Sequence, residues 1–410
     1  MSQTSANGRA HHATLGFLLF AGALSSFPPV TTDIYLPALP QLTADLHATA
    51  AQGQHTLAAY FLGLGAGQLF YGPWADRIGR RPPMMIGVAI YLLATLGCAL
   101  THSIDAMVGL RFLQAAGACS GVVISAAIVR DRFDHQESAR VLSFILFLRG
   151  IGPIVAPIMG GVIVTYLGWR AIFWCLAVFG LAIGASVFFG MKETRPEHVA
   201  ARARSESPLA AYLAVLKDRR LIAYLLANGL NFSSMFAWIA AAPYLLIGSY
   251  KVPALWFGWV FGINAAGFMI ASQINRRLLK RMPADTILRY GALGGALAAV
   301  VLIVDALTGL GGVLGVMVPL FFVVSSLGLV STNAMAGGLA VDPSRAGTVS
   351  ALFGACQFAL AGLATSLVGV VAKTPAVGMA CVIFVCASGT LVAAWLASRG
   401  GPRAPQSSPA

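Results

Sequence analysis

Apolar residues in this chain come in runs of about twenty, and charged or strongly polar residues are confined to the short breaks between the runs. A run of roughly 20 apolar residues at about 1.5 Å per residue crosses the hydrocarbon of a bilayer as an α-helix. Strands of a membrane barrel would instead show about ten residues of strict alternation, a pattern the chain does not carry. The runs predict twelve transmembrane helices, beginning near residues 14, 54, 83, 105, 139, 170, 220, 254, 285, 311, 347 and 375. The longest hydrophilic stretch, Met191 to Arg219, is rich in charge, Ser and Pro and follows the sixth run. It divides the chain into an N-terminal six-helix bundle (1–190), a surface linker on the cytoplasmic side (191–219), a C-terminal six-helix bundle (220–398) and a cytoplasmic tail (399–410). The first run follows Arg9 and passes small residues around Ala23 to Ser26, as a signal peptide would. It then continues to Leu36, so a retained first helix is expected. Ala139 to Ser143 opens the fifth run and Ala346 to Ser350 the eleventh with similar residues, and the basic loop after the second run has a weaker counterpart after the eighth. Such a half-chain repeat fits transporters built of two bundles with the substrate site between them.

Composition narrows the class. The chain is 58% hydrophobic and 10% charged, whereas soluble domains carry about 25% charged residues. The expected fold is therefore an all-α integral membrane protein. A net charge of +13 could suggest nucleic acid or anionic lipid, but the basic residues alternate sides of the membrane. Arg77, Arg80 and Arg81 follow the second run, Arg130, Arg132 and Arg140 flank the fourth loop, and Lys192, Arg195, Arg202, Arg204, Lys217, Arg219 and Arg220 follow the sixth. Arg276, Arg277, Lys280 and Arg281 follow the eighth, and Arg399 and Arg403 the last, while the opposite loops offer little beyond Arg170, Lys251 and Lys373. Cytoplasmic loops carry the Lys/Arg excess. Both termini are thus placed inside, in a multi-pass inner-membrane protein with lipid and no nucleic acid as partner. A monomer is expected. The six cysteines lie in apolar runs and read as small buried hydrophobes, and His11-His12 is too short a tract for a metal site. Phosphate loop, nucleophile elbow and His-Glu metal cluster are all missing from the sequence, so neither an enzyme nor an ATP-driven pump is expected. No cofactor is expected, with a proton gradient as the energy source.

Asp33 carries most of the chemistry. Of the fourteen acidic residues it is the one placed well inside a run. An ionised carboxylate at that depth costs about 2.5–3.5 kcal/mol on insertion scales, so intramembrane acids mark proton, ion or ligand sites. The loop after the second run reads Gly72-Pro-Trp-Ala-Asp76-Arg77-Ile-Gly79-Arg80-Arg81. It resembles the signature G-x-x-x-D-R-x-G-R-R of the major facilitator superfamily. That resemblance implies the major facilitator fold, with Asp76 latching the bundles on the cytoplasmic side and pairing with basic groups or a helix N-terminus. Arg130 is counted with this gating set. Arg111-Phe-Leu-Gln114 with Gly117 resembles the superfamily's R-x-x-Q-G element, with Ala115 in place of a glycine. Family likeness puts Asp33 and Arg111 beside one cavity, where a fixed cation and desolvation pull the acid in opposite directions.

The fifth run contains Gly152-Pro153-Ile-Val-Ala156-Pro157-Ile-Met-Gly160-Gly161, which resembles the exporter motif G-x-x-x-G-P-x-x-G-G with Ala156 in place of the second glycine. Prolines bend a helix and glycines admit close neighbours. Arg149 just before it is a second basic residue at depth, with no role assigned. Thr32-Asp33-Ile-Tyr35-Leu-Pro37-Ala-Leu-Pro40, Trp169-Arg170-Ala-Ile-Phe173, Lys192-Glu193-Thr194, Ala240-Ala-Ala-Pro243-Tyr244, Asn333-Ala-Met-Ala336 and Ala346-Gly347-Thr348 together resemble the Bcr/CflA drug-resistance exporters. The resemblance implies a drug:proton antiporter working by alternating access, with Asp33 and Arg111 coupling protons. It also implies a cavity lined by Tyr35, Tyr60, Gln114, Phe236, Trp238, Tyr244, Asn264, Asn333 and Gln357, which suits amphipathic molecules. The alternative is a proton-linked nutrient importer on the same fold, against which the fifth-run motif argues.

Overall fold

The computed structural model describes residues 14–197, 199–201, 207–371 and 374–399. Arg9, His11-His12, Arg202, Arg204, Lys373, Arg403 and all of the tail beyond Arg399 lie outside them. Among the described residues the chain is helical, with no strand. The N-terminal half comprises α1 (Leu15–Asp33), α2 (Leu39–Asp45), α3 (Ala50–Ile78), α4 (Arg81–Leu100), α5 (Ile104–Arg132), α6 (His135–Leu167) and α7 (Trp169–Gly190). A short linker helix, α8 (Pro208–Val215), leads to α9 (Arg219–Ala242), α10 (Ala254–Leu278), α11 (Ala284–Thr308), α12 (Gly312–Val341), α13 (Ala346–Val371) and α14 (Pro375–Ser398). Eleven of these are long and apolar enough to cross a membrane, the first counted through α1 and α2 as Leu15–Asp45. The remaining long helix is α3, 29 residues diluted by Gln52, Gln54, His55, Gln68, Asp76 and Arg77.

Helices begin where their caps lie, which differs from where the apolar runs begin. The Thr49 hydroxyl accepts from Gln52 N–H while the Gln52 side chain accepts from Thr49 N–H, a reciprocal cap that starts α3 four residues before its apolar run. Asp134 accepts from Glu137 N–H at 2.8 Å and starts α6 equally early. Pro153 and Pro157 lie inside α6 without interrupting it. The first span does break. Pro37 and Pro40 cannot donate backbone hydrogen bonds, and α1 gives way after Asp33 to a single 3-10 turn, Leu36–Ala38, before α2.

Within the N-terminal bundle α1 packs on α5 and α6, α3 on α5, and α4 on α5 and α7. In the C-terminal bundle α9 packs on α12, α13 and α14, while α12 meets α10 and α11. The halves meet along two seams, α3 against α13 and α6 against α10. The α3–α13 seam runs from Gly369 against Gln54 and Ala51 to Gly354 against Gln68, and close approaches also occur at the helix ends remote from the basic loops. Side chains larger than hydrogen would collide there, since a Cβ at Gly161 meets the Ala254 carbonyl, one at Gly258 meets Ile158 and one at Gly369 meets Gln54 and Ala51. Gln54 also donates to the Ala240 carbonyl across the seam at 3.4 Å. The Tyr244 hydroxyl occupies the space a Cβ at Gly53 would take, beside the Thr43 methyl. At this end the halves approach closely, backbone against backbone at Gly161 and Gly258.

Candidate functional site

Arg111 is the largest charged group in the interior, fully buried on α5. Its guanidinium carbon lies 4.4 Å from the centre of the Tyr35 ring and 4.3 Å from that of Tyr60. One terminal nitrogen donates to Gln114 at 2.6 Å, Gln114 donates to Thr95 at 2.8 Å, and Thr95 to the Tyr91 carbonyl at 2.6 Å. The Tyr35 hydroxyl bonds Thr56 at 2.8 Å and Tyr60 donates to the Pro28 carbonyl at 3.3 Å, fixing both rings. Two faces of a desolvated cation are thus covered by π-systems, each worth up to about 2 kcal/mol, while its Nε and the second terminal nitrogen have no partner among the described residues. Tyr35, Tyr60 and Gln114, expected to face cargo, are instead engaged by Arg111 in this conformation.

Asp33, the last residue of α1, is buried, and among the described residues it has neither an ion pair nor a hydrogen bond. The expected influence of Arg111 on Asp33 is not a direct contact, because the cation turns to the tyrosine rings. The fifth-run motif meets Asp33 through the backbone. A Cβ at Gly160 would strike the carbonyl of Ile34, the next residue after Asp33, while Gly161 abuts Ala254 of the other bundle. Gly152 lies 3.7 Å from the Pro29 ring by the same measure, and Ala156 is buried between them. Two faces of α6 therefore touch, respectively, the acid-bearing break in the first span and the opposing half.

The C-terminal candidates divide into groups. Phe236 on α9 lies 4.2 Å from Phe61 of α3, ring centre to ring centre, and 6.0 Å from Phe358 of α13, an apolar cluster that crosses the bundle boundary. Trp238 stacks on Phe261 at 6.1 Å. The Trp238 indole nitrogen and both amide atoms of Asn264 are buried without a partner among the described residues. Gln357 accepts from Asn228 at 3.4 Å, and Asn228 accepts from Ser331 at 2.7 Å. Asn333 is occupied structurally, donating to Asn275 at 2.7 Å and to the Leu329 carbonyl at 2.6 Å. Tyr244 belongs to the close approach of the halves at Gly53.

At the end that carries the basic loops Arg80 is buried and holds two acids, Asp76 at 2.5 Å and Asp131 at 2.8 Å. Gly79 precedes it with φ of 106°, a conformation that favours glycine, and a Cβ there would meet the Glu193 carboxylate. Glu193 accepts from the backbone N–H groups of Arg80 (2.8 Å) and Arg81 (3.2 Å) at the start of α4, and from Thr194 and Arg195 at 3.0 Å each. Burial works to raise its pKa, but those four donors prevail and hold it below the usual carboxylate range. The Arg195 guanidinium donates to the Asp76 and Arg77 carbonyls, capping the end of α3. From α8, Tyr212 donates to the Leu69 carbonyl at 3.2 Å, and burial followed by the Asp76 charge pushes its phenol up. Gly72 is half-buried, and Arg77, Arg81 and Arg130 surround the network. Among the described residues Asp76 is held by Arg80 of its own bundle and by Arg195 of the linker, and no partner comes from the C-terminal half. Asp131, Glu193 and Arg195 were not expected here. Their signal was a carboxylate between arginines at a helix end and the Lys192-Glu193-Thr194 stretch after the sixth run, but their partners are about fifty and more than a hundred residues away.

A buried unpaired acid, a caged cation and two bundles meeting along two seams define a membrane transporter of the two-bundle type. The chain belongs to the Major Facilitator Superfamily, whose model matches residues 15–366, and within it to the Bcr/CflA drug-resistance group. It is 34% identical over 356 residues to a bicyclomycin resistance protein homolog of Haemophilus influenzae, covering 87% of this chain and 89% of that protein. It is also 33% identical over 339 residues to a chloramphenicol resistance protein of Pseudomonas aeruginosa, with 82% and 78% covered. Among solved structures, a D-xylose-proton symporter superposes with a TM-score of 0.73 at 14% identity, covering 93% of this chain and 96% of that one. A bacterial homolog of the human lysosomal transporter Spinster, inward-facing and unoccupied, gives 0.72 at 15%, with 93% and 95% covered. At those identities the likeness is one of fold. The protein is a multi-pass transporter of the bacterial inner membrane, not an enzyme.

Proposed function

We propose that the chain exports small amphipathic drugs or metabolites in exchange for protons, by alternating access of its twelve spans, with both termini in the cytoplasm. The observation that carries the reading is Asp33, buried at the break of the first span with no counter-ion among the described residues and backed by Gly160 of the exporter motif. A carboxyl without a fixed partner exchanges its proton with whichever side the pathway opens to. In the outward-open state Asp33 takes a proton and cargo leaves; with the outer mouth closed, as here, it releases the proton inward and cargo binds. Because Gly160 touches the residue after Asp33 while Gly161 touches the opposite half, a bend of α6 at Pro153 and Pro157 moves the acid and the closure together. Coupling requires only that proton and cargo favour different states. Asp76 exchanges its present partners for groups of the C-terminal bundle when the cytoplasmic side closes. The names of the relatives support drug-like cargo. The test is Asp33→Asn in proteoliposomes under an imposed pH gradient, where substrate-dependent proton movement is lost while membrane insertion persists. Undiminished exchange by the variant refutes the assignment, and uptake by whole cells instead of by inside-out vesicles refutes the export direction.

A further inference from the structure

Arg149 is an intramembrane charge the mechanism above does not use. It lies on α6, half-buried, one turn before the exporter motif. It shares the helix face of Ile145 and Ala156, both buried, and of Gly152 and Gly160, which lie against α1. That face of α6 lies against α1. Arg111 on α5 is caged by two rings and a glutamine, but among the described residues Arg149 has no ion pair, hydrogen bond or ring contact. A structural arginine in this setting acquires partners, since a fixed cation in hydrocarbon otherwise has none. Counting the groups well inside the N-terminal spans, Arg111 and Arg149 oppose Asp33 alone. The interior therefore holds one positive charge in excess when Asp33 is ionised and two when it is protonated. An organic cation would enter against that excess. An oxyanion would be drawn to it and would find the planar, multiply donating guanidinium that binds carboxylates in parallel pairs.

Resting on the reading of the chain as an exporter with a cavity between its halves, we propose that Arg149 is the recognition group for a negatively charged oxygen function on the cargo, so that the transporter favours anionic over cationic aromatic compounds. Fluorescein and rhodamine 123 share a xanthene skeleton and differ in charge, and binding of each to the purified full chain in lipid nanodiscs is read by fluorescence anisotropy without any gradient. The wild type is expected to bind fluorescein at least ten-fold more tightly than rhodamine 123. Arg149→Gln should weaken fluorescein roughly ten- to hundred-fold, the loss of one charge-assisted bond, and Arg149→Lys should retain most of the affinity. The wild-type preference needs no variant, which guards against a folding defect in Arg149→Gln. Equal or tighter binding of rhodamine 123, absence of fluorescein binding, or fluorescein affinity unchanged in Arg149→Gln overturns the assignment. Since no proton movement is measured, this outcome is separable from the fate of the Asp33 scheme.

Discussion

Gly53→Ala is expected to prise open the outer mouth. The added methyl would fall on the Tyr244 hydroxyl contributed by the opposite half and come within 2.5 Å of the Thr43 methyl. The Tyr244 ring is buried, and a phenol has few rotamers with which to withdraw. Overpacking of this kind costs about 1–3 kcal/mol. The part of that cost arising from Tyr244 exists only while the halves touch, so it shifts the equilibrium away from the outward-closed state. At about 1.4 kcal/mol per factor of ten, the outward-open population rises by roughly five- to a hundred-fold. The assay places a cysteine at Thr56, buried one turn deeper on α3, in a background lacking the six native cysteines. Its labelling by a membrane-impermeant maleimide added from outside is then followed, and Gly53→Ala should accelerate it. Tyr244→Phe, which removes the colliding oxygen, should largely restore the slow rate in the double variant, and that non-additivity is the signature of a direct contact. If Gly53→Ala labels no faster than its parent while remaining folded, or if Tyr244→Phe gives no rescue, the close approach of Tyr244 is not what shuts the outer face.

The cytoplasmic network gives two further expectations. The Glu193 carboxyl is held below its ordinary range, so its contribution is present above the unfolded-state pKa and is lost as pH falls through the lower native value. Glu193→Gln should therefore lower the thermal midpoint at neutral pH and flatten its acid-side fall, and parallel pH profiles for the two proteins would contradict the role of the four backbone donors. Asp131→Asn removes one of the two acids on buried Arg80 and should cost about 1.5–3 kcal/mol, the value of a hydrogen bond to a charged group, read as loss of thermal stability in detergent. An unchanged midpoint would mean that Asp76 alone satisfies the guanidinium.

How legible the molecule was depended on the range of the interactions involved. Run length is a local property, so helices could be drawn from the sequence, but caps such as Thr49 and Asp134 extended two of them beyond their apolar runs and the first broke after Asp33. Asp33 stood out because an acid inside a run is costly wherever the run packs. The loop from Gly72 to Arg81 was recognisable as a motif, yet its acceptor Asp131 and its cap Glu193 come from other helices and carried no local mark. Nothing in the spacing of Tyr35, Tyr60 and Gln114, expected to line the cavity, announces that Arg111 lies between the two rings and bonds the glutamine.

The sequence by itself determined that the chain crosses a membrane many times, that it divides into halves around a charged linker, and which carboxyl lies at depth, because these follow from transfer free energies summed along short segments. Only the tertiary structure decided which charges are satisfied. It closed tyrosine rings over Arg111, left Asp33 and Arg149 without partners among the described residues, and set Gly160 against the residue after Asp33 while Gly161 met the other half. The physical reason is that pairing depends on distances of a few ångströms between helices far apart in the chain, and those distances are set by the packing of all the spans together.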